Sequence, residues 1–334
     1  LLQYILQKQF STPFTSEGVI LNLAFNMRII KDTSYDFMSK VSITRILSIL
    51  VLSIGLMSLI INKGPKLSID FKGGTMIVMN FEKAMEIERL RNSLNEIIID
   101  GQTFDLSNSE IKFFGDESDI LMRFSNISSE TDKFLEKFTQ KLYQTFPDKV
   151  PQQKEDFILS FEKVSPKIGA ELSSDALMAI ISALTLILIY ISVRFEFKYA
   201  VGAIAALGHD IFITLGVFSI FNFEISLAVI AAFLTIVGYS LNDTIVIFDR
   251  IRENTKGSSN VPLGLVVNQS INESLSRTII TSLTTFMVVF ILFLVGGEII
   301  HSFAFAMIIG VLVGTYSSVF IASPIVIAMD KNRS

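Results

Sequence analysis

Residues 225–248 form an apolar run long enough to cross a bilayer, and an Asn242-Asp243 pair sits inside it. At about 1.5 Å per residue the run covers about 36 Å, slightly more than a hydrocarbon core. Asp243 therefore lies within the membrane, about 8 Å of helix before the exit marked by Asp249, Arg250 and Arg252. An ionised carboxylate at the centre of a spanning helix costs about 2.5–3.5 kcal/mol on insertion scales, and less near an end. A group carried at that cost pairs, titrates or binds something; the bland alternative is glue between helices, or snorkelling to the near interface.

Composition agrees with a membrane protein: half of the residues are apolar and only 18% are charged, low for a soluble chain of this length. Cysteine is absent, so disulfides, thiolate zinc sites and thiol nucleophiles are excluded. The net charge of -4 and the lack of a basic block argue against nucleic acid as a partner. No P-loop, HExxH or G-x-S-x-G motif occurs, so neither nucleotide-driven chemistry nor an enzyme is expected.

The chain divides by character. Residues 1–40 form a cytoplasmic N-terminal segment in which 19–30 is apolar but too short to span, and lacks a signal-peptide cleavage site. It reads as interfacial or packed. Residues 41–61 hold the first spanning helix, with its apolar run at 45–61; residues 62–174 form an α+β domain; residues 175–330 carry helices two to six, at 176–193, 199–221, 225–248, 279–295 and 303–329; residues 331–334 are a short tail. Within the α+β domain, strands are expected at 67–71, 75–81, 111–114, 120–124 and 157–161, and helices at 85–99 and 130–143. After an initial hairpin this order is the split βαβ, ferredoxin-like pattern. Asp70 to Thr75, DFKGGT, supplies in Gly73 and Gly74 the glycines of a tight turn, a structural motif without chemistry of its own.

Arg194, Lys198, Arg250, Arg252, Lys256, Arg277, Lys331 and Arg333 lie on one side of this arrangement, while loops 222–224 and 296–302 contain no Lys or Arg. The positive-inside rule puts both termini in the cytoplasm and the α+β domain outside. Residues 254–264 read as a turn-rich linker, and 263–277 as a short amphipathic helix lying along the cytoplasmic face and delivering Arg277 to the mouth of span five.

Asp243, Arg277 and the His209-Asp210 pair of span three thus share one bundle, with Asn242 beside Asp243, and these five are the candidate proton-pathway residues. A nearby arginine favours the charged form of a carboxylate and desolvation favours the neutral form, so repacking can switch the balance. One charge crossing about 100 mV releases about 2.3 kcal/mol, enough to shift a two-state equilibrium more than tenfold. The alternatives are a positive-inside anchor for Arg277 and a packed polar pair for His209-Asp210. Gly310-x-x-x-Gly314 and Gly202-x-x-x-Ala206 read as close-packing faces.

YDFM at Tyr35, LSIDFKGGT at Leu67, ALGHDIFITLG at Ala206, GYSLNDTIVIFDRIREN at Gly238 and NQSINESLSRTIITSLTT at Asn268 together resemble the SecF branch of the SecD/SecF protein-export membrane family, related to the RND transporters. The resemblance runs from about residue 35 to the C-terminus; Ser68 stands where the family commonly has Gly, and the first thirty or so residues carry none of these motifs and are assigned no function. It implies a multi-pass protein of the bacterial cytoplasmic membrane with SecD, the SecYEG channel, a translocating preprotein and membrane lipids as partners. It also implies late-stage preprotein translocation driven by the proton gradient, with no bound cofactor, through Asp243 of the LND motif and Arg277 of the LSRT motif. Sodium is the alternative ion, through the hard oxygens of Asn242, Ser240 and Thr244. Competing readings are an RND-type exporter of a lipid or small molecule, a passive translocon scaffold and, remotely, an intramembrane aspartyl protease.

Overall fold

The computed structural model describes residues 33–95, 97–99, 102–125, 131–151, 154–257 and 260–330. The apolar segment at 19–30, most of the N-terminal segment, and Lys331 and Arg333 lie outside the described residues.

A 3-10 turn, Met38–Lys40, leads into α1 (Val41–Ile61). There follow β1 (Lys66–Leu67), α2 (Ile69–Lys72), β2 (Gly74–Asn80), α3 (Ile87–Ser93), β3 (Ile97–Ile99), β4 (Gln102–Phe104), β5 (Glu110–Phe114), β6 (Asp116–Phe124), α4 (Thr131–Thr145), α5 (Lys154–Phe157) and β7 (Ile158–Val164). The chain then enters α6 (Pro166–Arg194), α7 (Phe197–Ile220), β8 (Glu224–Ile225), α8 (Leu227–Gly257), α9 (Leu263–Val295) and α10 (Gly297–Ser317). A π-helical stretch, Ser318–Ala322, continues α10 into α11 (Ser323–Met329).

Six helices among the described residues are long and apolar enough to cross a membrane, as expected. Those containing α7, α8 and α10–α11 are half-buried in the protein, whereas α1, α6 and α9 turn most of their apolar surface outward. Small residues allow the inner helices to approach closely. A side chain at Gly314 would meet the Ser240 Cβ at 2.9 Å and one at Gly202 the Ala322 carbonyl at 2.8 Å, so both small-residue motifs are packing faces. A third close approach, Gly55 of α1 against Gly216 of α7, has no motif to announce it.

The α+β domain has the ferredoxin-like order. Its four main strands form one antiparallel sheet in the order β5-β6-β2-β7. Ile77 and Met79 of β2, Ile111 of β5 and Ile120 and Met122 of β6 face Leu90 and Leu94 near α3 and Phe134, Phe138 and Leu142 of α4 in a single core.

Five expectations are corrected. The strand at 67–71 is a two-residue β1 followed by the single turn α2, because the Ser68 hydroxyl accepts from the Asp70 N–H and starts a helix instead. The helix at 85–99 stops at Ser93; Leu94 and Ile97 stay buried, but Ile97–Ile99 pairs with Gln102–Phe104 as a hairpin. The separate amphipathic helix at 263–277 does not exist: α9 runs unbroken from Leu263 to Val295, since no Gly or Pro interrupts it after Gly264. Similarly, α8 continues to Gly257, into the stretch read as a linker, and α6 starts at Pro166, where Ser165 caps the Ile168 N–H.

Candidate functional site

Asp243 sits on α8, an inner helix, and is only 2% exposed. Its carboxylate faces α9 and α10. The Ser282 hydroxyl donates to Asp243 Oδ2 at 3.3 Å and shares a 2.7 Å hydrogen bond with Thr315 of α10. Among the described residues, that long contact is the side-chain hydrogen bond Asp243 receives. Arg277, on α9, stands exposed near the same end of the bundle and acts on Asp243 through its field, without a direct ion pair. Since α9 is continuous, the guanidinium is held by a rigid helix one to two turns from Ser282, not swung in by a surface helix.

Asp210 lies in the same interior but is fully served. Its Oδ2 accepts from the Ser240 hydroxyl at 2.6 Å and the Ser317 hydroxyl at 2.8 Å, and its Oδ1 pairs with His209 Nδ1 at 3.0 Å. His209 Nε2 continues to Ser48 of α1 at 3.2 Å, Ser48 meets the Tyr316 hydroxyl at 2.8 Å, and that hydroxyl donates to the Thr44 carbonyl at 2.7 Å. The imidazole also stacks on the Tyr316 ring. This network ties α1, α7, α8 and α10 together. It and the Asp243 group share α8 and α10: Ser240 precedes Asp243 by one turn, and Ser317 follows Thr315 by two residues.

The structure does not bring Asn242 to this site. It is exposed on the side of α8 away from Asp243, while Ser240 turns to Asp210 and Thr244 to Ser318 at 2.8 Å. Of the three oxygens expected as sodium ligands, those of Ser240 and Thr244 are engaged by different partners and Asn242 is exposed, so they do not gather at the Asp243 carboxylate. Ser282, Thr315 and Ser317 had no signal in sequence beyond being hydroxyls in apolar helices, where the default partner is the carbonyl one turn back.

Asp70, Gly73 and Gly74 form more than a turn. The Leu227 N–H, at the start of α8, donates to Asp70 Oδ2 at 2.9 Å, so this carboxylate caps from outside the helix that carries Asp243. Gly73 has φ +71° and a side chain there would meet Pro166 at 2.8 Å, while one at Gly169 would meet the Phe71 carbonyl at 2.7 Å. The turn is thus seated directly on the start of α6. Alongside it β1 pairs in parallel with β8, Lys66 opposite Glu224 and Leu67 opposite Ile225.

Comparison with known proteins agrees with these motifs. Residues 147–332 match the family model "Protein export membrane protein SecD/SecF, C-terminal", and residues 58–85 match "SecD/SecF GG Motif". The chain belongs to the SecD/SecF family. Among relatives of this family, the protein translocase subunit SecF of Calditerrivibrio nitroreducens is 43% identical over 90% of this chain and 96% of its own length. The SecDF subunit of Thermus thermophilus is 39% identical over 81% of this chain and 35% of its own. The crystal structure of SecDF from Thermus thermophilus, described as a translocon-associated membrane protein, superposes with a TM-score of 0.76 at 34% identity, covering 94% of this chain and 42% of that one. A SecDF structure in a super-membrane-facing form gives 0.65 at 35% identity, over 91% of this chain and 40% of that one. Against these solved SecD/SecF chains the protein spans about two fifths of the length.

Proposed function

We propose that this chain is an accessory subunit of the Sec translocase that works with a SecD counterpart beside the SecYEG channel. It drives late steps of preprotein translocation with the proton gradient, from a cytoplasmic membrane that it crosses six times with both termini inside and the α+β domain outside. The occurrence of both halves in one chain in the SecDF relative supports the SecD partnership. The charge pattern of the short loops supports the orientation.

The observation that carries this reading is the contrast inside the bundle: among the described residues the buried Asp243 receives one long hydroxyl contact, and Arg277 on the facing helix acts on it through its field alone. A carboxylate so held gains little from staying ionised, and its protonation is governed by how close Arg277 and water come. Proton uptake from one side and release to the other then biases the packing of α8 against α9 and α10, and the start of α8 is fastened to the α+β domain through Asp70. Sodium is the competing ion. The test is Asp243→Asn: the protein still inserts and assembles, and gradient-stimulated export into vesicles is lost. Export at the wild-type rate from that variant removes Asp243 from the mechanism, and separately imposed proton and sodium gradients tell the two ions apart.

A further inference from the structure

A cleft of about 380 Å³ opens at one end of the four-stranded sheet, between the loop before β5 and the end of β6. Phe104 and Phe124 supply apolar walls, each half-buried against the domain core, and Asp105, Asn108, Ser109 and Arg123 supply polar groups. Two of these are unspent. The Ser109 hydroxyl and the Arg123 Nε are buried without a hydrogen-bond partner among the described residues, and Ser109 is only 6% exposed. Buried donors without partners carry a desolvation penalty that a bound acceptor removes.

The cleft is also pre-set. Arg91 Nη1 donates to the Ser107 carbonyl at 2.7 Å and the Ser109 carbonyl at 2.9 Å, fixing the loop from within the domain. The Ser107 N–H donates to Asp105 Oδ1 at 2.9 Å, and hydrogen bonds from Ser107 hold the Asp105 carboxyl below its usual range. Ligand binding there meets little ordering cost.

Charge decides what kind of ligand fits. The Arg123 guanidinium is already faced by Glu224, with which it forms an ion pair, and by Glu110 at 3.9 Å, and Asp105 adds a further negative charge to the lining. A phosphate or other dianion finds no net positive charge here. A neutral peptide unit suits the site better: its carbonyl accepts from Ser109 Oγ and Arg123 Nε, and an apolar side chain enters between the two phenyl rings. Glu224 belongs to β8, the short link between α7 and α8, so the cleft lies on the side of the domain that meets the helical bundle.

We propose that this cleft binds an extended, unfolded polypeptide segment through one backbone carbonyl and one apolar side chain. This deepens the translocase reading, on which it rests, by placing a contact for the moving chain on the α+β domain. The test uses the purified full chain in detergent micelles and a short fluorescent, uncharged peptide containing Leu and Phe, with anisotropy as readout. Saturable binding is expected, weakened about three- to tenfold by Ser109→Ala, the net worth of one hydrogen bond, and more by Arg123→Gln. Ser109→Ala removes only an oxygen, so it keeps the test valid if Arg123→Gln fails to fold. Equal binding by wild type and Ser109→Ala overturns the proposal, as does displacement of the peptide by inorganic phosphate or by vesicles of anionic lipid. Peptide binding needs no gradient, so a null result removes the cleft while leaving the Asp243 test of the translocase reading to be decided by export.

Discussion

Asp210 and Asp243 are two buried acids in one helical bundle, and their surroundings are opposites. Asp210, with no exposed surface, accepts from two hydroxyls and pairs with an imidazole. Among the described residues Asp243 receives a single hydroxyl, at 3.3 Å. Burial alone therefore does not tell the two acids apart. A saturated carboxylate is a fastener, because every change in its protonation disturbs several partners at once. An under-served one is free to change charge as its neighbours move.

The largest expected effect separates these roles. Asp243→Asn abolishes gradient-stimulated export with little loss of thermal stability in detergent, whereas Asp210→Ala lowers stability first. Removing the Asp210 carboxylate strands donors from Ser240, Ser317 and His209, each costing about 1–3 kcal/mol if it stays unsatisfied. A thermal scan showing Asp210→Ala as stable as wild type breaks the comparison, because the network would then not be a fastener.

A second, smaller effect concerns the cap on α8. Asp70→Ala removes the acceptor for the Leu227 N–H, a loss of about 0.5–2 kcal/mol. Its signature is local: amide exchange accelerates at the start of α8 and not along α7. Uniform protection in both helices rejects Asp70 as the link between the domain and the Asp243 helix.

Much of this arrangement was legible in the sequence for a physical reason. Six apolar runs, a strand-helix order with clear periodicity, and an ionisable residue in a spanning helix are each signals that water and lipid impose directly. What was illegible depended on choices between equally good local options. Leu94 and Ile97 keep helical spacing and remain buried, yet the chain turns into a hairpin between them. Ser68 converts an expected strand into a helical turn by one hydrogen bond. The polar stretch before Arg277 has the pattern of a surface helix, but nothing in it breaks a helix, so it simply extends span five. Asn242 neighbours Asp243 in sequence, yet Asn242 is exposed and Asp243 is buried, because neighbouring helix positions lie about 100° apart around the axis. Asn268 opens a polar motif that gives its side chain no evident role; its carboxamide oxygen accepts from the Phe37 and Met38 N–H groups and caps the entrance to α1.

The smallest effect tests the other junction of the domain with the bundle, where Lys66 bridges Glu110 at 3.0 Å and Glu224 at 3.2 Å, flanked by Lys112 and Arg123. Burial opposes the charge on Lys66, but hydrogen bonds and fields from Glu110 and Glu224 outweigh it and raise its pKa; burial likewise opposes the charge on Glu110, yet Lys66, Lys112 and Arg123 together lower its pKa. The signs then fix two windows. The Glu110 contribution is present above the ordinary carboxylate range and is lost as pH falls through its depressed folded pKa, while the Lys66 contribution is present below the ordinary lysine range and is lost as pH rises through its raised one. Both groups are partly exposed, so each contribution is small and weakened by salt. Between these limits the junction is insensitive to pH, in contrast to the role proposed for Asp243. A distance probe between the α+β domain and α8 should accordingly stay constant across the neutral range in wild type and loosen on acidification, with Glu110→Gln removing the acid response. A junction that opens near neutrality instead would show that these surface charges, and not the buried carboxylate alone, take part in sensing the gradient.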